Sequence, residues 1–341
     1  MESYYTNLFS IQVSFTIFLD CSSSLVYFNV TVALDGSGNF TKINDVVAAS
    51  SSFSKMRYYI HIKAGEYKEY VEIGKNKTNL AFIGDGATNT KIIGNRSNVG
   101  GFSTMESSTM SVTGFGFMAQ YLTFENSAGP ANGQAVALRS DSNHSVFYKY
   151  IFLGYQDTLY ARFNLQFYKE CDIYGTMDFI FGSAATIFQN CHIYARLPNQ
   201  QITVTVQGKD KQDLYSGFSI QNSIITTSIE LQPVKASVKL YLGRPWRKFA
   251  TTVIMQSFLD DIIYPKGWIE WPPTPLDQLY YREYNNTGPG ANTNQRVNWQ
   301  GYKTIQNSAE ADLFIVSKFI DGDSWLPETG VPYAGGLVTL V

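Results

Sequence analysis

The chain has 341 residues, enough to bury a large core, and its 23 Tyr and 23 Phe against only 16% charged residues exclude a disordered polymer. A net charge of -2 is too small to argue for nucleic acid or for long-range steering, so any affinity for a polyanion has to come from local groups. An elongated single unit is as compatible with this length as two compact domains, because solenoids grow without a central core.

Residues 1–28 read as a poorly matching leader, either a degenerate export signal or a mispredicted start. Ile11 to Leu19 is apolar enough for the centre of an export signal but lacks a basic flank, no Lys or Arg occurring before Lys42, and it is too short to span a bilayer. From residue 29 onward the pattern is regular. VTVAL opens a strand, DGSGNF turns, and the run from Ile43 predicts a short helix that caps the first coil. Short β-rich runs follow, bounded by Gly, Asn or Asp: YYIHIKAG, LAFIGDG, KIIGN, FMAQYLTFENSAG, AVALRSD. Phe147-Tyr148-Lys149 then recurs as Phe167-Tyr168-Lys169, and Phe188-Gln189-Asn190 takes the same place one interval on. A near-constant spacing of about 21 is the length of one coil of a parallel β-helix, and a sandwich has no reason to repeat it. The expected fold is therefore all-β, a right-handed parallel β-helix with stacked interior ladders of Ile, Phe and Val. After Pro272, Pro273 and Pro275 an irregular C-terminal region begins, in which AEADLFIVSKFI reads as a helix or loop packed back along the coils. No linker divides residues 29–341. LPETG at Leu326 to Gly330 resembles a wall-sorting motif, but no long apolar segment or basic tail follows it.

Gln134, Gln156 and Asp178 fall at a fixed interval of 22, with Asp157 directly after Gln156. On a coil of that length the two amides and two acids converge in one patch. No Ser-His-Asp pattern or zinc spacing is present; His61, His144 and His192 lie outside the patch and read as structural or solvated. The carboxyls remain. Asp178 between apolar neighbours needs a cation, and Arg244 of YLGRPW is the candidate; an ionised, oriented carboxylate is a nucleophile. Asp157, beside that charge, would carry the proton, and Gln134 and Gln156 would donate to an oxyanion. The alternative is a structural amide ladder with an ion pair. Cys171 and Cys191, 20 apart, fit either a disulfide across adjacent coils or two buried thiols, with Cys21 left over. Six Asn-x-Ser/Thr sequons begin at Asn29, Asn39, Asn76, Asn95, Asn143 and Asn285.

GQAVALR, GYQDTLY, GTMDFIFG, YLGRPW and LYYREYNNTGPGA together resemble the signature segments of plant-type pectin methylesterases, from about Val30 to Leu326. The resemblance implies removal of methyl esters from C6 of galacturonate units in pectin, with Asp178 as nucleophile, Asp157 as general acid and later base, Gln156 and Gln134 at the oxyanion and Arg244 orienting Asp178. It implies substrate contacts at Thr104, Tyr160, Phe181, Trp246 and Trp271, a Cys171–Cys191 disulfide, and no metal or organic cofactor. Pectin is the partner it implies, with a proteinaceous pectinesterase inhibitor as a second; nucleic acid and membrane are not expected, and a secreted, wall-located monomer is. Met105 and Gly133 depart from the family's usual aromatic and His at those positions. Two other readings compete: a catalytically silent pectin-binding β-helix, and a glycosidase acting on polygalacturonan.

Overall fold

The strands of this chain are two to six residues long, too short to bury a face alone, so each finds its partners in the coils before and after it. The computed structural model of the protein describes residues 17–18, 26–198 and 201–338. The leader read at 1–28, with its apolar run and Cys21, lies outside these apart from residues 17–18 and 26–28. Of that part, Phe28 stacks on His61 with ring centroids 4.6 Å apart.

Among the described residues three parallel sheets wind around one core, and the fold is a parallel β-helix. The longest has eleven strands, from Val30–Val32 to Tyr302–Thr304; the second has eight, from Gly65–Tyr67 to Phe258–Leu259; the third has seven, from Val71–Ile73 to Leu240–Pro245. Ile17–Phe18 and Val26–Tyr27 form a separate antiparallel pair.

The register corrects the reading of the repeated triplet. Phe147 pairs with Tyr168, not with Phe167, and Tyr168 pairs with Phe188, so one coil steps by 21 residues and the next by 20. Since side chains alternate along a strand, this one-residue offset puts the two triplets on opposite faces. Phe147, Tyr168 and Phe188 stack inside at 4.8 Å per step, whereas Phe167 lies on the outer face, buried under the C-terminal region. Seven consecutive strands of the long sheet, from Met118–Gln120 to Tyr280–Tyr284, are left through a residue with left-handed backbone: Tyr121, Lys149, Glu170, Asn190, Asn222, Gln256 and Asn285 all have φ between 49° and 59°. Asn is at home there; Tyr, Lys and Glu are not, and the surrounding ladders hold them in place.

Directly after that column come Cys171, Cys191, Ser223 and Ser257. The Cys191 N–H donates to Ser223 Oγ (3.0 Å) and the Ser223 N–H to Ser257 Oγ (3.1 Å). Cys171 and Cys191 are buried free thiols whose Sγ atoms donate to the carbonyls of Phe147 (3.3 Å) and Tyr168 (3.5 Å). The disulfide expected between them is thus not formed in this state; burial and the neighbouring Cys191 push the Cys171 thiol well up, favouring the protonated form.

The expected cap is the helix Ile43–Ala49, which buries Ile43, Val46 and Val47. Its first N–H groups are satisfied from afar, Ile43 and Asn44 donating to the Glu69 carboxylate at 2.8 and 3.0 Å. At the opposite end Glu283 and Arg296, 2% and 1% exposed, form a bidentate pair at 2.8 and 3.0 Å, and Trp268 and Tyr302 also donate to Glu283. The C-terminal region does pack back along the coils, through the helices Ser308–Ala311 and Val316–Phe319. Its tail is held by amides: Gln189, Gln221 and Gln256 donate to the carbonyls of Ala334, Gly336 and Val338 at 2.5 to 2.9 Å. Leu326 and Thr329 of LPETG are buried in this region while Pro327, Glu328 and Gly330 are exposed, so the segment is a surface turn anchored at two points in the core.

Replacing Arg296 with Met strands a carboxylate inside the solenoid end. The expected loss is about 3–5 kcal/mol, read by denaturant unfolding, and a loss below about 1 kcal/mol would refute the account of this cap.

Candidate active site

In the third sheet Leu138 pairs with Leu159 and Leu159 with Ile180, a step of 21 residues. The interval of 22 read from Gln134, Gln156 and Asp178 is therefore one residue longer than the coil. Asp157 and Asp178, two residues before Leu159 and Ile180, occupy equivalent places on adjacent coils; Gln156 stands one place earlier in the turn and Gln134 two. Both acids have left-handed backbone, φ 62° and 55°, and the Asp157 N–H donates to the Met177 carbonyl at 3.1 Å. This conformation is sparsely populated for non-glycine residues and marks an over-determined turn. Gly182 completes it at φ 132°, where a Cβ would lie 1.9 Å from the Ala161 carbonyl oxygen, so only glycine lets the coil close beneath the acids.

Asp178 is buried and ion-paired. Its Oδ1 accepts from Arg244 Nε (2.8 Å) and from Thr203 Oγ1 (2.5 Å), and its Oδ2 accepts from Arg244 Nη2. The Asp178 N–H in turn donates to Thr203 Oγ1 at 3.0 Å. A bidentate guanidinium and a hydroxyl fix the plane of this carboxylate. Arg244 is itself clamped, its guanidinium carbon 3.9 Å from the centroid of the Trp271 ring. Asp157 is also buried but has no such partner. Burial first, then the negative charge of Asp178, push its carboxyl well up; Arg244 opposes this without reversing it. The two acids thus differ in surroundings: Asp178 is held by a cation, and burial favours the protonated form of Asp157.

Gln134, Gln156, Thr104 and Met105 line the same cleft of about 380 Å3 with both acids, Arg244, Tyr160, Phe181, Trp246 and Trp271. All ten side chains expected at the site from the sequence are brought together there. Tyr160 and Phe181 stack at 4.2 Å and 18°, with Trp246 beyond them at 6.3 Å from Phe181, forming an apolar floor with Val136 and Val206. The histidines lie elsewhere: His61 is 2.7 Å from Asp85, His144 stacks on Trp325, and His192 is 3.0 Å from Asp172. Among the described residues no group of three or more His, Cys, Asp or Glu could hold a metal ion.

Thr203 is the functional neighbour that sequence reasoning missed. The next coil is longer, Ile180 pairing with Thr205 at a step of 25, so a fixed interval passes over it.

These features carry a pH prediction. Because the folded state holds the Asp157 proton that the unfolded chain gives up near 3.8, stability contributed by the protonated form is lost as pH rises above 3.8 toward the raised folded value. Asp157→Asn should remove that decline, giving a melting temperature that exceeds the parent's by a growing margin as pH rises; parallel curves would refute it.

The comparisons agree with this geometry. The pectinesterase family model matches residues 29–323. A probable pectinesterase/pectinesterase inhibitor of Arabidopsis thaliana is 52% identical over 91% of this chain and 59% of its own length, and pectinesterase 2 of Citrus sinensis is 49% identical over 91% and 61%. This chain therefore spans about three fifths of the curated relatives it matches. The structure of a pectin methylesterase from carrot, 47% identical, superposes with a TM-score of 0.91 over 92% of this chain and 100% of that one; one from Aspergillus niger, 29% identical, gives 0.76 over 87% and 95%. With a family match over residues 29–323 and the same fold as a 47% identical pectin methylesterase, this chain belongs to the pectinesterase family.

Proposed function

We propose that the protein hydrolyses the methyl esters of galacturonate units in pectin, with Asp178 as nucleophile. The observation that carries this reading is the pair of buried acids on adjacent coils, one fixed by Arg244 and Thr203, the other holding its proton. Asp178 Oδ attacks the ester carbonyl at C6, and the carbonyl oxygen becomes an oxyanion that the side-chain amides of Gln134 and Gln156 can meet as neutral donors. Collapse breaks the bond to the methoxy oxygen, which leaves as methanol with the Asp157 proton, and the sugar stays joined to Asp178 as an anhydride. Asp157, now anionic, takes a proton from water as the hydroxide attacks the sugar carbonyl. Asp178 is released as a carboxylate, and Asp157 regains its proton. Tyr160, Phe181, Trp246 and Trp271 offer ring faces to the pyranose units, and Thr104 and Met105 border the cleft.

Secretion to the cell wall, a monomeric state and sensitivity to a proteinaceous inhibitor belong to the same reading. Five of the six sequon asparagines, all but Asn143, are exposed, which suits glycosylation in that compartment. Oxidation there would join Cys171 to Cys191, which lie at paired places on adjacent coils.

Methanol release from highly methylated pectin is the deciding measurement. Asp178→Asn is expected to reduce it at least about a thousandfold and Asp157→Asn about a hundredfold or more, with far-ultraviolet circular dichroism unchanged. Retained turnover in the Asp178 variant, or new reducing ends without methanol, would overturn the proposal.

A further inference from the structure

A second depression, separate from the cleft with the acids, is the larger of the two. It measures about 740 Å3 against 380 Å3 and lies between the coils and the C-terminal helices. Its walls carry Tyr215, Phe249, Tyr280 and Phe319, and Lys209 and Lys318 are the only charged residues that line it. Tyr215 is 60% exposed, yet its hydroxyl donates to the Phe319 carbonyl at 2.6 Å, so the ring is pinned with a face toward solvent.

This depression adjoins the cleft across a single ridge. Gly208 packs so closely on Trp246 of the cleft that a Cβ would meet the indole at 2.8 Å, and the next residue, Lys209, lines the second depression. The Phe249 N–H donates to the Lys209 carbonyl at 3.0 Å, tying the two strips of ridge together. Exposed Arg247 and Lys248 stand on top, their cations 5.2 Å from the ring centroids of Trp246 and Phe249. From the cleft outward, cations and rings thus alternate: Arg244 with Trp271, Arg247 with Trp246, Lys248 with Phe249, then Lys209 and Lys318 around Tyr215. Acids stand along this path as well: Asp213 near Lys209, Asp312 3.8 Å from Lys318, Asp321 near Tyr215, and Glu310, which accepts from the Tyr280 hydroxyl at 2.8 Å and pairs with Arg282. None of these acids lines the depression itself, whose charged lining among the described residues is Lys209 and Lys318, so a ligand seated there meets cations first.

Rings that stack on sugar faces, interleaved with cations, fit a carbohydrate bearing carboxylates. Ester hydrolysis creates such a chain, because each turnover turns a neutral unit into an anionic one. We propose that the second depression is a product-holding site, in which the de-esterified stretch of the same polyuronate that occupies the cleft crosses the Trp246–Phe249 ridge and binds near Lys209 and Lys318. The inference rests on the esterase reading. It gives the enzyme a grip on substrate it has already converted, so that successive esters of one chain are presented before release.

The test uses unesterified oligogalacturonates of increasing length as probes, titrated calorimetrically at low salt into the parent and into Lys209→Gln/Lys318→Gln. Parent affinity should rise once the probe is long enough to reach past the ridge, and the double variant should lose about tenfold of that rise, two exposed ionic contacts of about 0.7 kcal/mol each. Methanol release from a short methylated oligomer confined to the cleft should be the same in both. An equal length dependence in parent and variant, none in the parent, or an identical rise with fully methylated probes would overturn the proposal. Binding is read without turnover, so a parent that binds long anionic probes but releases no methanol would sink the esterase reading alone. The thermal midpoint of the variant, expected to match the parent, guards against misfolding as the cause.

Discussion

Everything at the site depends on the parallel ladder of the third sheet placing two aspartates one coil apart. Strand spacing in a sheet is about 4.8 Å, a distance at which two carboxylates in a dry environment cannot both be charged without large cost. Arg244, three coils after Asp157, breaks the symmetry by pairing with Asp178 only. The difference in surroundings between the acids is therefore a property of the stack, and neither acid would have it in an isolated turn.

The scaffold is strengthened where a solenoid is weakest. Its ends would expose apolar interior and unpaired strand edges, and here one end carries the helix Ile43–Ala49 tied to Glu69 and the other a buried Glu283–Arg296 pair that also fastens Trp268. Trp268 pairs through its backbone with Gly243, the neighbour of Arg244, and stands three residues before Trp271, which covers the guanidinium. The end plug and the orientation of the site's cation are parts of one piece of structure.

Much of this was legible in the sequence, because a coil of near-constant length turns spacing into proximity. The sheets, the capping helix, the convergence of Gln134, Gln156, Asp157, Asp178 and Arg244, and the packing of the C-terminal region could be read from residues. Register could not. The repeated triplet aligned Phe147 with Phe167, 20 residues on, where the paired residue is Tyr168, 21 on, and the tripeptides proved to face opposite ways. Thr203 escaped because the loop before it lengthens its coil. The left-handed column was hidden for another reason: Tyr121, Lys149 and Glu170 carry no propensity for that conformation, which tertiary pairing imposes on them.

The glutamine rungs beneath the tail have a consequence of their own. Gln189 and Gln256 each bind both a carbonyl and an N–H of the strip they hold, Gln189 at Ala334 and Gln256 at Val338, while Gln221 takes the Gly336 carbonyl between them. Clasps of this kind grip peptide groups and ignore what hangs from them. Within the strip only places such as Gly336, where a Cβ meets nothing within 4 Å, are free to vary, since Gly335 abuts Ser317 Oγ and Leu337 packs on the core; a single insertion or deletion there would throw every rung out of step at once.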